Sequence, residues 1–237
     1  MSGGDRSTLR VDRFGERALL VHADDQASVH ALAAALVADL EDGRIEDVVP
    51  TDRTLLLRFD GTDAGERMAR EALRAADERR HRADWLATRP RPRHRTIPVC
   101  YGGANGPDLD ETAAIAGLST RELIARHAGG AYTVLFLGFA PGFPYLGGLP
   151  AGLAVPRLTT PRTETRRGSV AIAEGYSGIY PANLPGGWRV IGWTPVLLFD
   201  PAADPPTYLL PGDEVRFEAV DEGDLPAEPY RPADWAA

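Results

Sequence analysis

The chain has 237 residues, 43% of them hydrophobic and 25% charged, which is typical of a globular protein able to bury one or two cores. Its formal net charge of −8 argues against general nucleic-acid binding, because proteins of that class usually carry a basic surface. A single cysteine, Cys100, excludes an internal disulfide framework, and no apolar run approaches the ~18–20 residues of a membrane span. The polar first residues lack the apolar core of a signal peptide, so we expect a cytoplasmic protein that binds neither membrane nor nucleic acid.

The first ninety residues predict a ββαββα order of elements. The strand candidates are 8–12, 17–22, 45–49 and 54–59, and the helices are 26–40 and 63–85. In the first helix Val29, Leu32, Leu36 and Leu40 recur at helical spacing, with Asp24 or Asp25 as the N-cap. Two helices on one face of a small, mostly antiparallel sheet is the simplest packing, so we expect a small α/β domain of ferredoxin-like type over residues 1–90.

Residues 89–95 alternate arginine and proline before ending in His-Arg. The prolines forbid a continuing helix and the like charges resist collapse, which indicates a solvated linker. A nucleic-acid-binding run is the alternative, and the acidic balance of the whole chain favours the linker.

Residues 91–237 are predicted to form a closed or nearly closed β-barrel. Two short helices are expected at 110–116 and 120–127, the second with a capping box formed by Ser119 and Glu122. Short strand candidates separated by turn residues make up most of the remainder, as is typical of barrels. They cover 96–101, 131–137, 169–173, 189–191, 196–199 and 214–220.

Two segments, 136–150 and 178–188, interleave aromatic residues with glycine and proline. Glycine permits close backbone approach, proline restricts the neighbouring backbone, and aromatic faces can line a pocket, so these segments predict the walls of one binding site. The Pro-Gly-Gly turn in the second segment could present backbone N–H groups to a ligand, or could simply connect two strands.

Between these segments, residues 156–168 contain Arg157, Arg162, Arg166 and Arg167. Guanidinium groups bind carboxylate or phosphate through paired hydrogen bonds, so the loop suits an anionic substrate or ATP. The alternative is a solvated loop paired with Glu164 and Glu174.

Several residues could have either a chemical role or an ordinary structural one. His127, at the end of a predicted helix, could carry a proton near neutral pH or could be a helix C-terminal residue stabilised by the dipole. Cys100 is expected to be a buried thiol, and Ser169 lacks the flanking glycines of a nucleophile elbow. We find no metal-ligand spacing, P-loop or dinucleotide fingerprint.

Ordered motifs along the chain resemble the B component of the prokaryotic 5-oxoprolinase. This family is also described as allophanate hydrolase subunit 1 and includes a sporulation-kinase inhibitor. The resemblance is strongest over 96–217. It is carried by 101–102 (YG), 106–109 (GPDL), 138–146 (GFAPGFPYL), 161–162 (PR), 168–172 (GSVAI), 178–181 (GIYP), 185–188 (PGGW) and 211–213 (PGD), after the N-terminal landmarks 15–20 (GERALL) and 53–56 (RTLL).

The resemblance implies a cyclophilin-like barrel of the carboxyltransferase subdomain C and D type after the small N-terminal domain. It also implies two partners, a homologous second barrel subunit (the C component of 5-oxoprolinase) and the deacetylase-like A component, with ATP used by the complex to open 5-oxo-L-proline to L-glutamate. On this basis Arg162, Arg166, Asn183 and Arg189 are expected to hold the anionic groups of a small substrate. Tyr145, Tyr180 and Trp188 would wall the pocket and His127 would transfer a proton.

Three departures from the family pattern suggest a changed ligand. Leu184 replaces a serine, Trp193 replaces an arginine, and Arg166-Arg167 replaces an uncharged pair, so a paralogue acting on a related amide or carboxylate is one possibility.

Two alternative functions belong to other classes of protein. One is a histidine-kinase-inhibitor-like regulator that docks through 136–150, and the other is a carboxyltransferase module of a urea carboxylase-like system with a biotinylated partner.

Overall fold

The chain divides into two compact units, Met1–Arg91 and Pro92–Ala237. The computed structural model describes residues 9–82, 84, 92–226 and 228–235. The first three residues of the predicted linker, 89–91, lie outside these residues, and its last two positions, His94 and Arg95, already belong to a strand. In the described residues, no helix combines the length and apolar character needed to cross a membrane.

The N-terminal unit is a four-stranded antiparallel sheet with helices. Its strands pair in the order β1-β2-β4-β3. Leu19, Val21, Leu55 and Leu57 of the central strands pack with apolar residues of both longer helices to form its core. The elements are β1 (Arg10–Arg13), β2 (Ala18–His22), α1 (Gln26–Ala35), α2 (Val37–Glu41), β3 (Asp47–Pro50), β4 (Thr54–Arg58) and α3 (Asp63–Arg80).

The helix predicted over 26–40 is two helices, because the chain tightens at Leu36. The Leu36 N–H contacts both the Ala33 and the Leu32 carbonyl oxygens, which ends α1. Asp25 is the N-cap, and its side chain accepts a hydrogen bond from the Ser28 N–H at 2.8 Å. The order of strands and helices matches the ββαββα prediction, apart from this division, and the ferredoxin-like description stays a prediction.

The C-terminal unit is built around a closed seven-stranded barrel, as the turn-rich sequence predicts. Its strands follow the order β10-β7-β6-β13-β5-β12-β9. The last strand, β13, lies between the first two, pairing parallel with β5 and antiparallel with β6. The elements are β5 (His94–Tyr101), α4 (Leu109–Ile115), α5 (Thr120–Ala128), β6 (Tyr132–Leu137), β7 (Pro144–Gly147), β8 (Arg162–Thr165), β9 (Ser169–Ala173), β10 (Tyr176–Ile179), β11 (Leu184–Gly186), β12 (Arg189–Trp193) and β13 (Glu214–Ala219).

Four strands of the C-terminal unit were not predicted from the sequence, and the strand predicted over 196–199 was wrong. Strands β7, β8, β10 and β11 lie in stretches whose prolines, glycines or charged residues interrupt apolar alternation. The expected strand 196–199 makes only isolated bridges, Val196 to Tyr230 and Phe199 to Thr207. Strands β8 and β11 form a separate two-stranded ribbon.

Apolar side chains cover both faces of the barrel wall at β9. Val170 and Ile172 belong to the main barrel core, whereas Ala171 and Ala173 belong to a second cluster with Phe143 and Trp188. Side chains alternate between the two faces of a strand, so this second cluster lies on the outer face of the barrel. It contains residues from both of the aromatic and glycine-rich segments.

Candidate functional site

Aromatic rings from both segments meet on the outer face of β9 and β12. We call Phe136, Phe139, Phe143, Tyr145, Tyr176, Tyr180 and Trp188 the aromatic cluster. Phe143 lies at its centre, with ring centroids 5.3 Å from Tyr145, 5.2 Å from Tyr180 and 5.4 Å from Trp188, all edge to face. Such pairs each stabilise by about 0.5–1.5 kcal/mol beyond area burial. The structure therefore brings together the three predicted wall residues.

Glycines allow this packing, as the sequence pattern suggested. A Cβ on Gly178 would lie 2.9 Å from Cζ3 of Trp188 and 3.0 Å from Cζ of Phe143. A Cβ on Gly186 would overlap the Tyr180 hydroxyl. Both positions need glycine because an aromatic ring lies directly against the backbone.

Phe139 projects from the cluster on a strained turn. Its φ is +67°, and the Ala140 N–H donates to the Gly138 carbonyl at 2.7 Å, which closes a γ-turn of the rare positive-φ kind. The side chain is 60% exposed, although its ring contacts Phe143 and Tyr180 edge to face. Strained backbone of this kind is concentrated at functional sites. Sequence reasoning did not single out Phe139, because a positive φ at a non-glycine residue has no local sequence signal.

Arg162 reaches a carboxylate that the sequence did not single out. Its Nη2 donates to Oδ1 of Asp108 at 2.6 Å, and Oδ2 of Asp108 accepts the Val190 N–H at 2.7 Å. Asp108 is only 5% exposed, and Nη1 of Arg162 is buried with no hydrogen-bond partner among the described residues. Two signals for Asp108 were present in the sequence, its position just before a predicted helix and its place in the family motif over 101–109.

The side-chain hydroxyl of Tyr180 is protonated at neutral pH. Burial raises the pKa of Tyr180, and this effect outweighs the opposing influences of the Trp188 backbone, the Thr165 side chain and the nearby Arg162 charge. The hydroxyl can therefore donate a hydrogen bond at the edge of the aromatic cluster.

Arg189 lies apart from the rings. Its Nε donates to the Pro156 carbonyl at 2.9 Å, and its Nη1 lies 3.1 Å from Oε1 of Glu111 in the first turn of α4. Trp188 and Val190 on either side belong to the outer cluster, so Arg189 points to the other face of the strand. Its predicted role in substrate binding stays a prediction.

Arg166 and Asn183 line a separate pocket of about 620 Å³, which we call the arginine pocket. The Arg166 guanidinium carbon lies 4.2 Å from the Trp193 ring centroid, and the Arg167 N–H donates to the Asn183 side chain at 2.9 Å. The departures at 166, 167 and 193 thus meet in one place. The lining residues are Arg166, Arg167, Pro181, Ala182, Asn183, Trp193, Glu228 and Pro229.

His127 is fully buried in the barrel interior. Its Nδ1 lies 2.7 Å from the Tyr101 hydroxyl, its Nε2 lies 2.9 Å from Oγ of Ser177, and its ring stacks on Phe217. Burial lowers the pKa of His127 to about 3, so the ring is neutral at pH 7 and gains nothing from charge–dipole attraction. Its contacts are thus with the barrel core, whereas the aromatic cluster lies outside the wall, and the proton-transfer role stays a prediction.

The remaining candidates behave as ordinary structural groups. Cys100 is buried, as expected, with the Asn105 amide nitrogen 3.5 Å from its sulfur. Arg157 pairs with Glu174 on the surface, which is the solvated alternative for that arginine. Within the described residues, no group of three or more His, Cys, Asp or Glu side chains is arranged to hold a metal ion.

Comparison with known proteins identifies the family of this chain. The model of the carboxyltransferase domain, subdomain C and D, matches residues 9–209. The chain is 52% identical over 131 residues to the B component of 5-oxoprolinase from Bacillus subtilis, covering 55% of each chain. It is 51% identical over 137 residues to the B component of 5-oxoprolinase from Escherichia coli O157:H7, covering 58% of this chain and 63% of the relative. The matches thus span less than two thirds of these curated relatives.

Solved structures agree on the fold. The crystal structure of TTHA0988 superposes with a TM-score of 0.72 at 34% identity, covering 90% of this chain and 41% of that one. The urea amidolyase of K. lactis superposes with a TM-score of 0.69 at 20% identity, over 94% of this chain and 15% of that one, which shows a shared fold alone. The resemblance predicted from the motifs is confirmed, and the chain belongs to the carboxyltransferase domain, subdomain C and D, family, whose members similar to it include proteins named as the B component of 5-oxoprolinase.

Proposed function

We propose that this chain is a subunit of an ATP-dependent 5-oxoprolinase complex, which converts 5-oxo-L-proline to L-glutamate. The observation that carries the proposal is the gathering of Tyr145, Tyr180 and Trp188 around Phe143, with the Arg162 charge acting on Tyr180. The relatives named as the B component of 5-oxoprolinase support it.

The chemistry of 5-oxoproline suits these groups. Its five-membered lactam ring can pack against aromatic faces, and its carboxylate can pair with a guanidinium. Nη1 of Arg162 is a buried donor with no hydrogen-bond partner among the described residues, and the protonated Tyr180 hydroxyl can donate to the lactam oxygen. Arg189 and, in the separate arginine pocket, Arg166 and Asn183 complete the proposed set of residues that hold the anionic groups of the reactants.

ATP would supply the phosphoryl group that turns the stable lactam oxygen into a leaving group. Arg166 and Arg167 fit an anionic phosphate group, since both line an open pocket. The chain's own residues would orient the lactam and stabilise negative charge as the ring opens. His127 is proposed to move a proton within its bonds to Tyr101 and Ser177.

We propose that activity requires two partners in the cytoplasm, namely a deacetylase-like protein and a homologous second barrel protein. The relatives named as the B component of 5-oxoprolinase support a complex of several subunits. Within the chain, residues 1–90 would act as the small, ferredoxin-like α/β domain and residues 91–237 as the barrel domain.

The test is 5-oxoproline-dependent release of ADP by the chain purified with both partners. Arg162→Ala should lower turnover by about tenfold or more, because a charged hydrogen bond to the substrate is lost. Arg162→Lys keeps the charge and guards against loss of the Asp108 ion pair, and Arg157→Ala is the matched surface control. Unchanged turnover in folded Arg162→Ala would remove Arg162 from the site.

One observation favours a second candidate, a protein-binding regulator. Phe139 is 60% exposed in the segment 136–150 that would serve as its docking surface. Binding of the chain to a histidine kinase, lost in Phe139→Ser, would support this candidate. The carboxyltransferase alternative rests on the matched carboxyltransferase domain model and on similarity to urea amidolyases, one of them 33% identical to this chain over 129 residues.

A further inference from the structure

The arginine pocket is framed by two loops and the end of a strand. Arg166 and Arg167 lie between β8 and β9, Pro181 to Asn183 link β10 to β11, and Trp193 ends β12, with Glu228 and Pro229 also lining the pocket. The loops are tied to each other, because the Arg167 N–H donates to Oδ1 of Asn183 at 2.9 Å. The walls of the pocket are therefore held in place before any ligand arrives.

Trp193 is a fixed platform for one of the two guanidinium groups. Its Nε1 donates to the Arg167 carbonyl at 2.9 Å, and Gly168 leaves room for the indole, since a Cβ there would lie 2.7 Å from that nitrogen. Arg166 lies over the ring with its guanidinium carbon 4.2 Å from the centroid. Stacking restrains the guanidinium, while its N–H donors radiate from the edge of the plane and stay available to an anion.

Arg166 and Arg167 differ from the neighbouring arginines in whether a carboxylate lies close to the guanidinium group. Arg157, Arg162 and Arg189 each have a carboxylate within 3.3 Å. In the part of the chain that the structure describes, neither Arg166 nor Arg167 has a carboxylate within ion-pair distance. Glu228 also lines the pocket, so two guanidinium groups and one carboxylate leave a net positive lining.

We propose that the arginine pocket is a binding site for a phosphate group, held by the guanidinium groups of Arg166 and Arg167 and the side-chain amide of Asn183. A tetrahedral dianion matches two adjacent guanidinium forks better than a single carboxylate does. The phosphate can belong to free inorganic phosphate or to the end of a polyphosphate chain. The assignment rests on the proposed function only in taking ATP as one source of that group.

The experiment is calorimetric titration of the 237-residue chain, without partners, with inorganic phosphate, pyrophosphate, ATP, acetate and 5-oxoproline. Arg166→Ala and Arg167→Ala should each weaken phosphate or polyphosphate binding by about tenfold or more, whereas Arg157→Ala should leave it unchanged. Glu228→Gln should tighten binding by about threefold, because the opposing charge is removed. A gain of affinity cannot result from misfolding, and thermal melting checks the other variants.

The outcomes separate the sources of the anion. Tighter binding of ATP than of phosphate assigns the site to the nucleotide, and binding of phosphate without ATP assigns it to the free ion; both support the site. The assignment to phosphate would be overturned if acetate or 5-oxoproline bound as tightly as phosphate and if Arg166→Ala weakened that binding equally. Absence of heat with every phosphate compound up to about 10 mM would overturn the site itself. The proposed function is judged separately by turnover of the complex.

Discussion

Arg162 and Asp108, 54 residues apart in sequence, form an ion pair whose Nη2–Oδ1 distance is 2.6 Å. The second oxygen of the same carboxylate accepts the Val190 N–H at 2.7 Å. One buried carboxylate thus joins the β8–β11 ribbon, the start of α4 and barrel strand β12.

Removal of this carboxylate should destabilise the barrel unit. We expect Asp108→Ala to lower the free energy of unfolding by about 2–4 kcal/mol, because it leaves a partly buried guanidinium and a buried N–H without a partner. Glu174→Ala, which breaks the exposed pair with Arg157, should cost less than about 0.5 kcal/mol. Urea unfolding measures both, and equal losses would contradict the role given to Asp108.

Gly178 should not tolerate a methyl group. Its Cβ would meet Trp188 and Phe143 at 2.9 and 3.0 Å, so we expect Gly178→Ala to cost about 1–3 kcal/mol through overpacking. Gly175→Ala is the matched control, since a Cβ there meets no atom within 4 Å. Thermal melting of the two variants tests the packing directly, and a shift in Gly175→Ala as large as that in Gly178→Ala would show that the rings do not set the cost.

The strain at Phe139 can be measured by comparing two small residues. At φ +67° glycine is relaxed and alanine is not, so Phe139→Gly should be more stable than Phe139→Ala by about 1 kcal/mol. Both lack the ring, and both should bind 5-oxoproline more weakly than the parent chain if Phe139 contacts the substrate. If alanine proved as stable as glycine, the γ-turn would carry no strain in solution.

His127 should make the fold sensitive to acid. Because its pKa is about 3 when folded and near 6.5 when unfolded, the unfolded chain takes up the proton first as the pH falls. Stability from this group is complete above about pH 6.5 and declines toward pH 3, by about 1.4 kcal/mol per pH unit between these limits. Urea unfolding between pH 7.5 and pH 5 should show a steeper decline in the parent chain than in His127→Gln, and parallel declines would rule out a buried neutral histidine.

Features set by local signals were predictable from the sequence. The Ser119–Glu122 capping box is present, both barrel-unit helices occur within a residue or so of their predicted bounds, and Asp25 caps α1. The closed barrel followed from the density of short strands and turns. The three predicted wall aromatics do meet, because glycines that permit close approach are visible in the sequence.

Features that depend on contacts between distant residues were not predictable. Asp108 was given no role from the sequence, and its ion pair with Arg162 joins side chains 54 residues apart. The division of the arginines between two places also escaped prediction, since Arg166 stacks on Trp193, whereas Arg162 pairs with Asp108 just before α4 and Arg189 pairs with Glu111 in its first turn. Burial of His127 depends on which helix face meets the barrel interior, which a lone histidine near a helix end does not reveal.

The position of β13 has a consequence for how the protein is made. Because this strand inserts between β5 and β6, the two earliest strands of the barrel remain separated by an open seam until residues 214–219 have left the ribosome. Closure then depends on pairing segments about 120 positions apart, the kind of long-range step that slows folding and leaves edges exposed to aggregation. Nascent chains that stall before this point would expose their unpaired strands, and we expect them to depend on chaperones.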